Sequence, residues 1–185
     1  QNQIDFIDKY LNNLFKIVYE ACENGKYYKF DENYDLVDSD VTTAEEAVSN
    51  VMDIDSVRDM YILYEIVHDY DCGEGSFYMC VDLSKDSKCP KLKFTSPWDF
   101  NWAYNDSTEK YYAGAFTDKN FVAKKGDRSN PWFIILCKQD WFMDAVKEKW
   151  TEMSQEKLLQ GCIKTEREYL KEYDADLRKG EEWGP

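Results

Sequence analysis

One stretch of the chain is apolar on nearly every side of a helix, and it limits how the rest can fold. Asp55 or Ser56 can cap its first turn, because short polar side chains accept hydrogen bonds from the free N–H groups there. Apolar side chains then keep helical spacing while others fill the opposite face: Val57, Met60, Tyr61, Ile62, Leu63, Tyr64, Ile66 and Val67. A helix with this pattern is buried. We therefore expect it to be covered by other elements.

The composition suits one soluble domain and excludes two classes of partner. The chain has 185 residues, 43% of them hydrophobic, which is enough for one sizeable core. Its formal net charge of −14 opposes binding to nucleic acid or to an anionic membrane, because both need clustered cations. No apolar run approaches the roughly 20 residues that span a bilayer. We expect residues 1–185 to form a single domain with no nucleic-acid partner and no membrane span.

The remaining patterns predict an α+β fold that is mostly helical and has one β-hairpin. Asn24-Gly25 stands where a left-handed cap would end the first helix, and residues 26–50 have no sustained period. Residues 76–82 favour a strand, and 91–95 alternate as its half-exposed partner. The predicted elements are helices over 7–22, 43–51, 55–67, 131–136, 141–150 and 155–178, and the hairpin over 76–95.

Polar side chains lie where the two predicted strands begin and end. Asp71 and Ser76 come at the start of the first strand, and Asp99 and Asn101 follow the second. In a hairpin these two ends are neighbours, so the four side chains can converge. Carboxylate and amide oxygens suit Mg²⁺ or Mn²⁺, hard cations that bring phosphates with them. Acids beside turns are also common as solvated caps, and the pattern alone leaves both readings open.

Other kinds of chemistry find little support. The chain has no phosphate-binding GxGxxG or GxxxxGK[ST], no HExxH and no GxSxG. A serine or cysteine triad would need the single histidine, His68, which is more typical of a structural residue that follows an apolar helix. The six Trp and 14 Tyr could line a carbohydrate or peptide groove, but a core role is favoured, because four of the tryptophans stand at positions expected of core aromatics: Trp102, Trp132, Trp141 and Trp150.

Several segments together resemble one family. They occur in the order and spacing of the C-terminal part of the CotH kinase family, the spore-coat-protein-H-like atypical kinases, and they cover nearly all of the chain. The segments are Asp53–Val57, Tyr61–Ile66, Asp69–Asp71, Ser76–Tyr78, Lys91–Phe94, Pro97–Ala103, Asn130–Phe133 and onward to Trp150.

The resemblance implies the C-terminal lobe of an atypical protein kinase that uses ATP with Mg²⁺ or Mn²⁺. Asp71 would match the catalytic-loop aspartate, and Asp99 would match the metal-binding aspartate of the Trp-Asp-Phe box. Asn101 stands at the second acidic position of that box, as a metal and cofactor ligand. Ser76 lies five residues after Asp71, the offset of the metal-binding Asn in the protein-kinase pattern HRDxxxxN. The implied substrate is a Ser or Thr of an exported or surface protein or peptide.

Three positions depart from the family pattern. Asp69 stands in place of Asn, Ser76 where Asn is common, and Asn101 in place of Asp. The family's nucleotide-binding lobe should precede Gln1, so we expect this chain to be the C-terminal part of a larger CotH-like domain, inactive by itself. The alternative is a noncatalytic binding or scaffold module of a secreted protein. The resemblance implies an extracellular, cell-surface or spore-coat location.

Overall fold

The structure is a computed structural model that describes residues 2–67, 72, 75–103 and 130–180, with only the backbone of Trp102 and of 174–180. Its described residues form six α-helices and two antiparallel hairpins, which confirms a mostly helical α+β fold. They divide into two compact units, 1–146 and 147–185. The helices are α1 Gln3–Tyr19, α2 Ala44–Val51, α3 Ile54–Val67, α4 Pro131–Leu136, α5 Asp140–Gln155 and α6 Leu158–Gly180. The strands are β1 Tyr28–Phe30, β2 Leu36–Asp38, β3 Tyr78–Cys80 and β4 Lys93–Thr95.

Helix α1 begins with a capping box and ends as its sequence predicts. The Asn2 side chain accepts from the Ile4 N–H, and the Asp5 carboxylate accepts from the Asn2 N–H. After α1 the chain makes one π-helical turn over Glu20–Asn24. Gly25 then closes it at φ +62°, a left-handed conformation that glycine adopts without steric cost.

A second hairpin, β1–β2, occupies part of the region that the sequence analysis assigns to a loop. Its strands are three residues each, with Lys29 opposite Val37. The turn between them is held by the Asp31 carboxylate, which accepts from the N–H groups of Asn33 and Asp35, both at 2.8 Å. The expectation of a single hairpin was therefore wrong, because this one depends on turn bonds rather than on a long alternating pattern.

Helix α3 is covered by other elements, as its all-round apolar pattern predicts. Five of its side chains are buried, and Leu63, Ile66 and Val67 are half-buried. Its Tyr61 and Tyr64 rings lie 5.3 and 6.3 Å from the ring of Phe133, which is fully buried. We call the rings of Tyr61, Tyr64, Phe77, Phe94 and Phe133 the aromatic core.

Hairpin β3–β4 is attached to the beginning of α3. The Ser56 hydroxyl accepts from the Phe94 N–H at 3.3 Å and donates to the Asp53 carbonyl at 2.8 Å. Next to it, the Leu92 carbonyl accepts from the Asp53 N–H at 2.9 Å. Phe94 itself is buried, 5.7 Å from the Phe133 ring. The hairpin is thus fixed to the core by both backbone and side-chain contacts.

The second unit contains the end of α5 and all of α6, and none of its described side chains over 147–173 is buried. Lys157, at φ +55°, separates the two helices. Trp150 is 46% exposed, so its expected place in a core was wrong, whereas Trp132 in the first unit is buried. Within the ranges that the structure describes, no helix has the length and apolar character to cross a membrane.

Candidate functional site

The register of β3 and β4 brings together the two chain ends that the sequence predicts to be neighbours. Tyr78, the first residue of β3, pairs with Thr95, the last residue of β4. Ser76 lies just before Tyr78, and Asp99 follows Thr95 by four residues. Both side chains therefore lie at the same end of the hairpin. We call this end, formed by Ser76 and by residues 96–101, the hairpin mouth.

At the hairpin mouth, Ser76 and Asp99 are in direct contact. The Ser76 hydroxyl donates to Asp99 Oδ2 at 3.4 Å, a long hydrogen bond between a half-buried and an exposed side chain. Two oxygen atoms that the sequence predicts as ligands therefore share one small volume. Both belong to groups that bind hard cations.

Several residues at the hairpin mouth have positive φ angles, which are uncommon for residues other than glycine. Among the described residues, five non-glycine residues have positive φ, and three of them are here: Ser76 at 34°, Ser96 at 56° and Asp99 at 63°. Each such conformation costs on the order of 1 kcal/mol or more for an L-residue. Strained residues of this kind are common at active sites and ligand clamps, so the backbone as well as the polar side chains makes the mouth a candidate site.

The other two predicted site residues, Asp71 and Asn101, are not part of the contact between Ser76 and Asp99 that the structure describes. Asn101 is exposed in a single 3₁₀ turn, Phe100–Trp102, directly after Asp99, and it makes no hydrogen bond with Ser76 or Asp99 in the described structure. Asp71 lies outside the described residues, as do Asp69 and His68. The structure therefore brings together Ser76 and Asp99, with Asn101 two residues away along the chain.

The donor set at the mouth fits Mg²⁺ or Mn²⁺ chemically but is sparse. The carboxylate of Asp99, the hydroxyl of Ser76 and the amide of Asn101 are all oxygen donors. In the described part of the chain, no group of three or more His, Cys, Asp or Glu residues could hold a metal ion. An ion bound by these donors would need further ligands, such as phosphate oxygens and water, as Mg²⁺ usually does.

A cavity of about 420 Å³ opens beside Ser76. One wall is the chain that leads into β3, and the other is the beginning of α4. Volumes of roughly 300–1,000 Å³ are typical of pockets for small ligands. The lining residues are Cys72, Gly75, Ser76, Phe77, Tyr78, Asn130, Pro131 and Trp132. The cavity places an aromatic and backbone surface next to the hairpin mouth.

Asn130 connects the two walls of this cavity. It is 2% exposed, and its Nδ2 donates to the Cys72 carbonyl at 3.0 Å. Its Oδ1 accepts from the N–H groups of Trp132 and Phe133, so the same side chain caps α4. The sequence analysis did not identify Asn130 as a site residue. An Asn before Pro is a visible cap signal, but its bond to a carbonyl 58 residues away cannot be read from the sequence.

A buried polar group lies on the helix that leads toward the predicted catalytic loop. The Tyr61 hydroxyl hydrogen-bonds to the Glu65 carboxyl and the Cys137 thiol. Burial raises the pKa of Glu65, although the bond from Tyr61 opposes this, and Oε1 of Glu65 is buried with no hydrogen-bond partner among the described residues. Burial also raises the pKa of the Cys137 thiol to about 12, so this cysteine stays a thiol at neutral pH.

The comparisons with known proteins give one match. A family model described as "CotH kinase protein" matches residues 16–179, which include both hairpins, the hairpin mouth and the cavity. Comparison with curated proteins and with solved structures gives no significant match.

Proposed function

Because the chain belongs to the CotH kinase family, we propose that it takes part in transfer of the γ-phosphoryl group of ATP to a Ser or Thr hydroxyl. The observation that supports this most directly is the contact between Ser76 and Asp99 at the hairpin mouth. The contact lies after β4, where the chain enters the Trp-Asp-Phe-Asn sequence that the resemblance assigns to metal binding.

In this proposal each polar residue has a separate task. Asp99 holds the metal ion, with Ser76 and Asn101 as weaker neutral ligands. When bound, Mg²⁺ or Mn²⁺ neutralises charge on the phosphates. Asp71 accepts a hydrogen bond from the attacking hydroxyl, which orients it and takes up its proton as the new bond to phosphorus forms. ADP leaves with the electron pair of the bond that breaks.

Electrostatics supports a contribution from outside this chain. A net charge of −14 repels a nucleotide that is itself an anion. The family's nucleotide-binding lobe supplies Lys or Arg contacts to phosphate. We therefore propose that residues 1–185 are the C-terminal part of a larger CotH domain, and that transfer belongs to the protein that contains both lobes. Its substrate would be an exported or surface protein.

A noncatalytic binding or scaffold module is the second candidate, and one observation favours it. Among the described residues at the mouth, Asp99 is the single carboxylate. Asn101 is neutral where the family pattern favours Asp, and Ser76 offers a hydroxyl where that pattern favours the amide of Asn. A site with one charged ligand binds a divalent ion less tightly than a site with two.

The test is calorimetric titration of ATP with Mg²⁺ into the full-length protein, beside the variants Asp99→Ala, Asp71→Ala and Asp86→Ala. Asp86 is an exposed aspartate in the connection between β3 and β4, and it serves as the matched control. We expect saturable binding that is lost in Asp99→Ala and kept in Asp86→Ala. In Asp71→Ala, binding should persist while phosphate transfer to a Ser-rich peptide disappears. Absence of nucleotide binding by the folded wild-type protein would contradict the kinase proposal and favour the scaffold.

A further inference from the structure

Asn130 is a buried polar residue, and burying its amide group is unfavourable unless the amide forms hydrogen bonds. Apart from tyrosines and cysteines, it is the one polar side chain that is buried among the described residues. Here three hydrogen bonds compensate, two to its oxygen and one from its nitrogen.

Capping α4 does not by itself require asparagine. The cap uses only Oδ1, and Ser or Asp supply an equivalent oxygen about equally well. The bond to the Cys72 carbonyl uses Nδ2, a donor that aspartate lacks and that the shorter serine cannot place at the same distance while it caps the helix. Asparagine is the cap residue that can perform both tasks.

The two ends of this bond have different surroundings. On one side, Asn130 is continuous with α4, whose Phe133 is fully buried in the aromatic core. On the other side, Cys72 directly follows Asp71, the proposed base, and precedes Ser76 by four residues. The Phe77 ring beside Ser76 also packs on Phe133, with 6.0 Å between centroids. Helix α4 therefore contacts the chain both at Cys72 and at Phe77.

We propose that Asn130 is a positioning residue for phosphoryl transfer, acting through its bond to the Cys72 carbonyl. This inference rests on the proposed function. The bond fixes the chain next to the proposed base relative to α4, and Phe77 fixes the metal-binding mouth relative to the same helix. Transfer requires the attacking hydroxyl and the phosphate to be aligned, and a displacement of about 1 Å can cost on the order of 100-fold in rate.

Asn130→Asp removes the donor and keeps the shape of the side chain and its capping oxygen, but it also adds a negative charge next to the Cys72 carbonyl. Asn130→Ser is the second variant, which keeps a cap without adding a buried charge. Thr43→Ala is the matched control: Thr43 caps α2 through a 3.2 Å bond from the Glu46 N–H, so its loss lowers stability without touching the cavity. All are compared with the wild-type full-length protein at a temperature at which each is folded by circular dichroism.

We expect both Asn130 variants to lose kcat by roughly 10- to 100-fold, with KM for ATP within about twofold of wild type. Thr43→Ala should melt at a lower temperature and keep its kcat. Amide hydrogen exchange over residues 72–78 should be faster in the Asn130 variants and unchanged in Thr43→Ala, a readout that needs no activity. An active wild type whose Asn130 variants keep kcat would overturn this inference and leave the proposed function standing. An inactive wild type would instead overturn the proposed function, and this inference with it.

Discussion

The two hairpins of the first unit have strands of equal length but depend on different parts of the chain. Hairpin β1–β2 is closed by a short turn whose bonds come from its own Asp31. Hairpin β3–β4 has a long connection over 81–92 and is fixed by α3 and the aromatic core. A two-stranded hairpin is marginal in water by itself. Each hairpin therefore relies on the fold. The turn of β1–β2, the local hairpin, is bound to α1, where the Asn13 side chain donates to the Tyr34 carbonyl at 2.9 Å. In β3–β4, the site hairpin, β4 is bound to α3 and to the aromatic core.

The largest expected effect comes from removing the buried ring of the site hairpin. Phe94 is 2% exposed, so Phe94→Ala should lower the free energy of unfolding by about 3–5 kcal/mol through lost burial and a cavity. Phe30, in β1, is only half-buried against Tyr10, and Phe30→Ala should cost clearly less. Urea unfolding of both variants measures the difference. Equal losses would mean that the two hairpins depend on the core to the same degree.

The next effect concerns the hydroxyl that fixes β4 to α3. Ser56→Ala leaves the Phe94 N–H without its acceptor, and we expect a loss of about 1–3 kcal/mol in the free energy of unfolding. Ser84→Ala, at an exposed serine of the connection between β3 and β4, should stay within about 0.5 kcal/mol of wild type. If the two serine variants unfolded at the same urea concentration, the hydroxyl would not anchor the hairpin.

The third prediction concerns how stability depends on pH through Glu65, a residue of α3, the helix that binds β4. Burial raises the pKa of Glu65 in the folded state. Between its unfolded and folded pKa values the unfolded chain binds fewer protons, so stability falls as pH rises through that window. Glu65→Gln removes this loss, so the variant should be more stable than wild type at neutral pH and lose that advantage near pH 4. Melting temperatures across this range test it.

Glu32→Gln provides the control for that pH series. Glu32 is exposed in the turn between β1 and β2, and Glu32→Gln makes the same chemical change as Glu65→Gln at a site away from α3. A Glu65→Gln curve parallel to that of wild type would show that folding does not change the pKa of this carboxyl.

The smallest effect is expected in the turn of the local hairpin. Asp31→Ala removes two acceptor bonds from an exposed turn and should cost about 1 kcal/mol, without disturbing the site hairpin. Asp31→Asn keeps an acceptor oxygen and should cost less. Urea unfolding reports the energy, and proton chemical shifts of Phe94 report the site hairpin. Movement of those shifts in Asp31→Ala would show that the two hairpins are coupled.

The sequence predicted the elements whose signal is long and regular. All-round apolar spacing gave a buried α3, and Gly25 marked the end of the first helical region. The pairing of β3 with β4 was also predicted, although each strand is shorter than expected. Ser76 was placed in the first strand, but its φ of 34° is incompatible with extended backbone, and the strand begins at Tyr78.

The sequence did not predict features that depend on distant contacts or on single side chains. Hairpin β1–β2 has three-residue strands, too short for an alternating pattern, and its turn is held by the Asp31 carboxylate together with side chains of α1. Asn130 was visible as a helix cap but not as the partner of Cys72. For the candidate site, the contact between Ser76 and Asp99 follows from the predicted pairing of the two strands. The functional roles of Asp71, Ser76, Asp99 and Asn101 all stay predictions.

The bond between Asn130 and Cys72 has a consequence for the order in which the molecule is built. It joins residues 58 positions apart, and the entropy lost in closing a loop grows with the logarithm of its length. Contacts between distant residues form late, whereas a turn such as that of β1–β2 closes early. During synthesis, a nascent chain that ends before residue 130 lacks the Asn130 side chain that donates to the Cys72 carbonyl. The hairpin mouth is therefore expected to reach its final geometry only after α4 has left the ribosome.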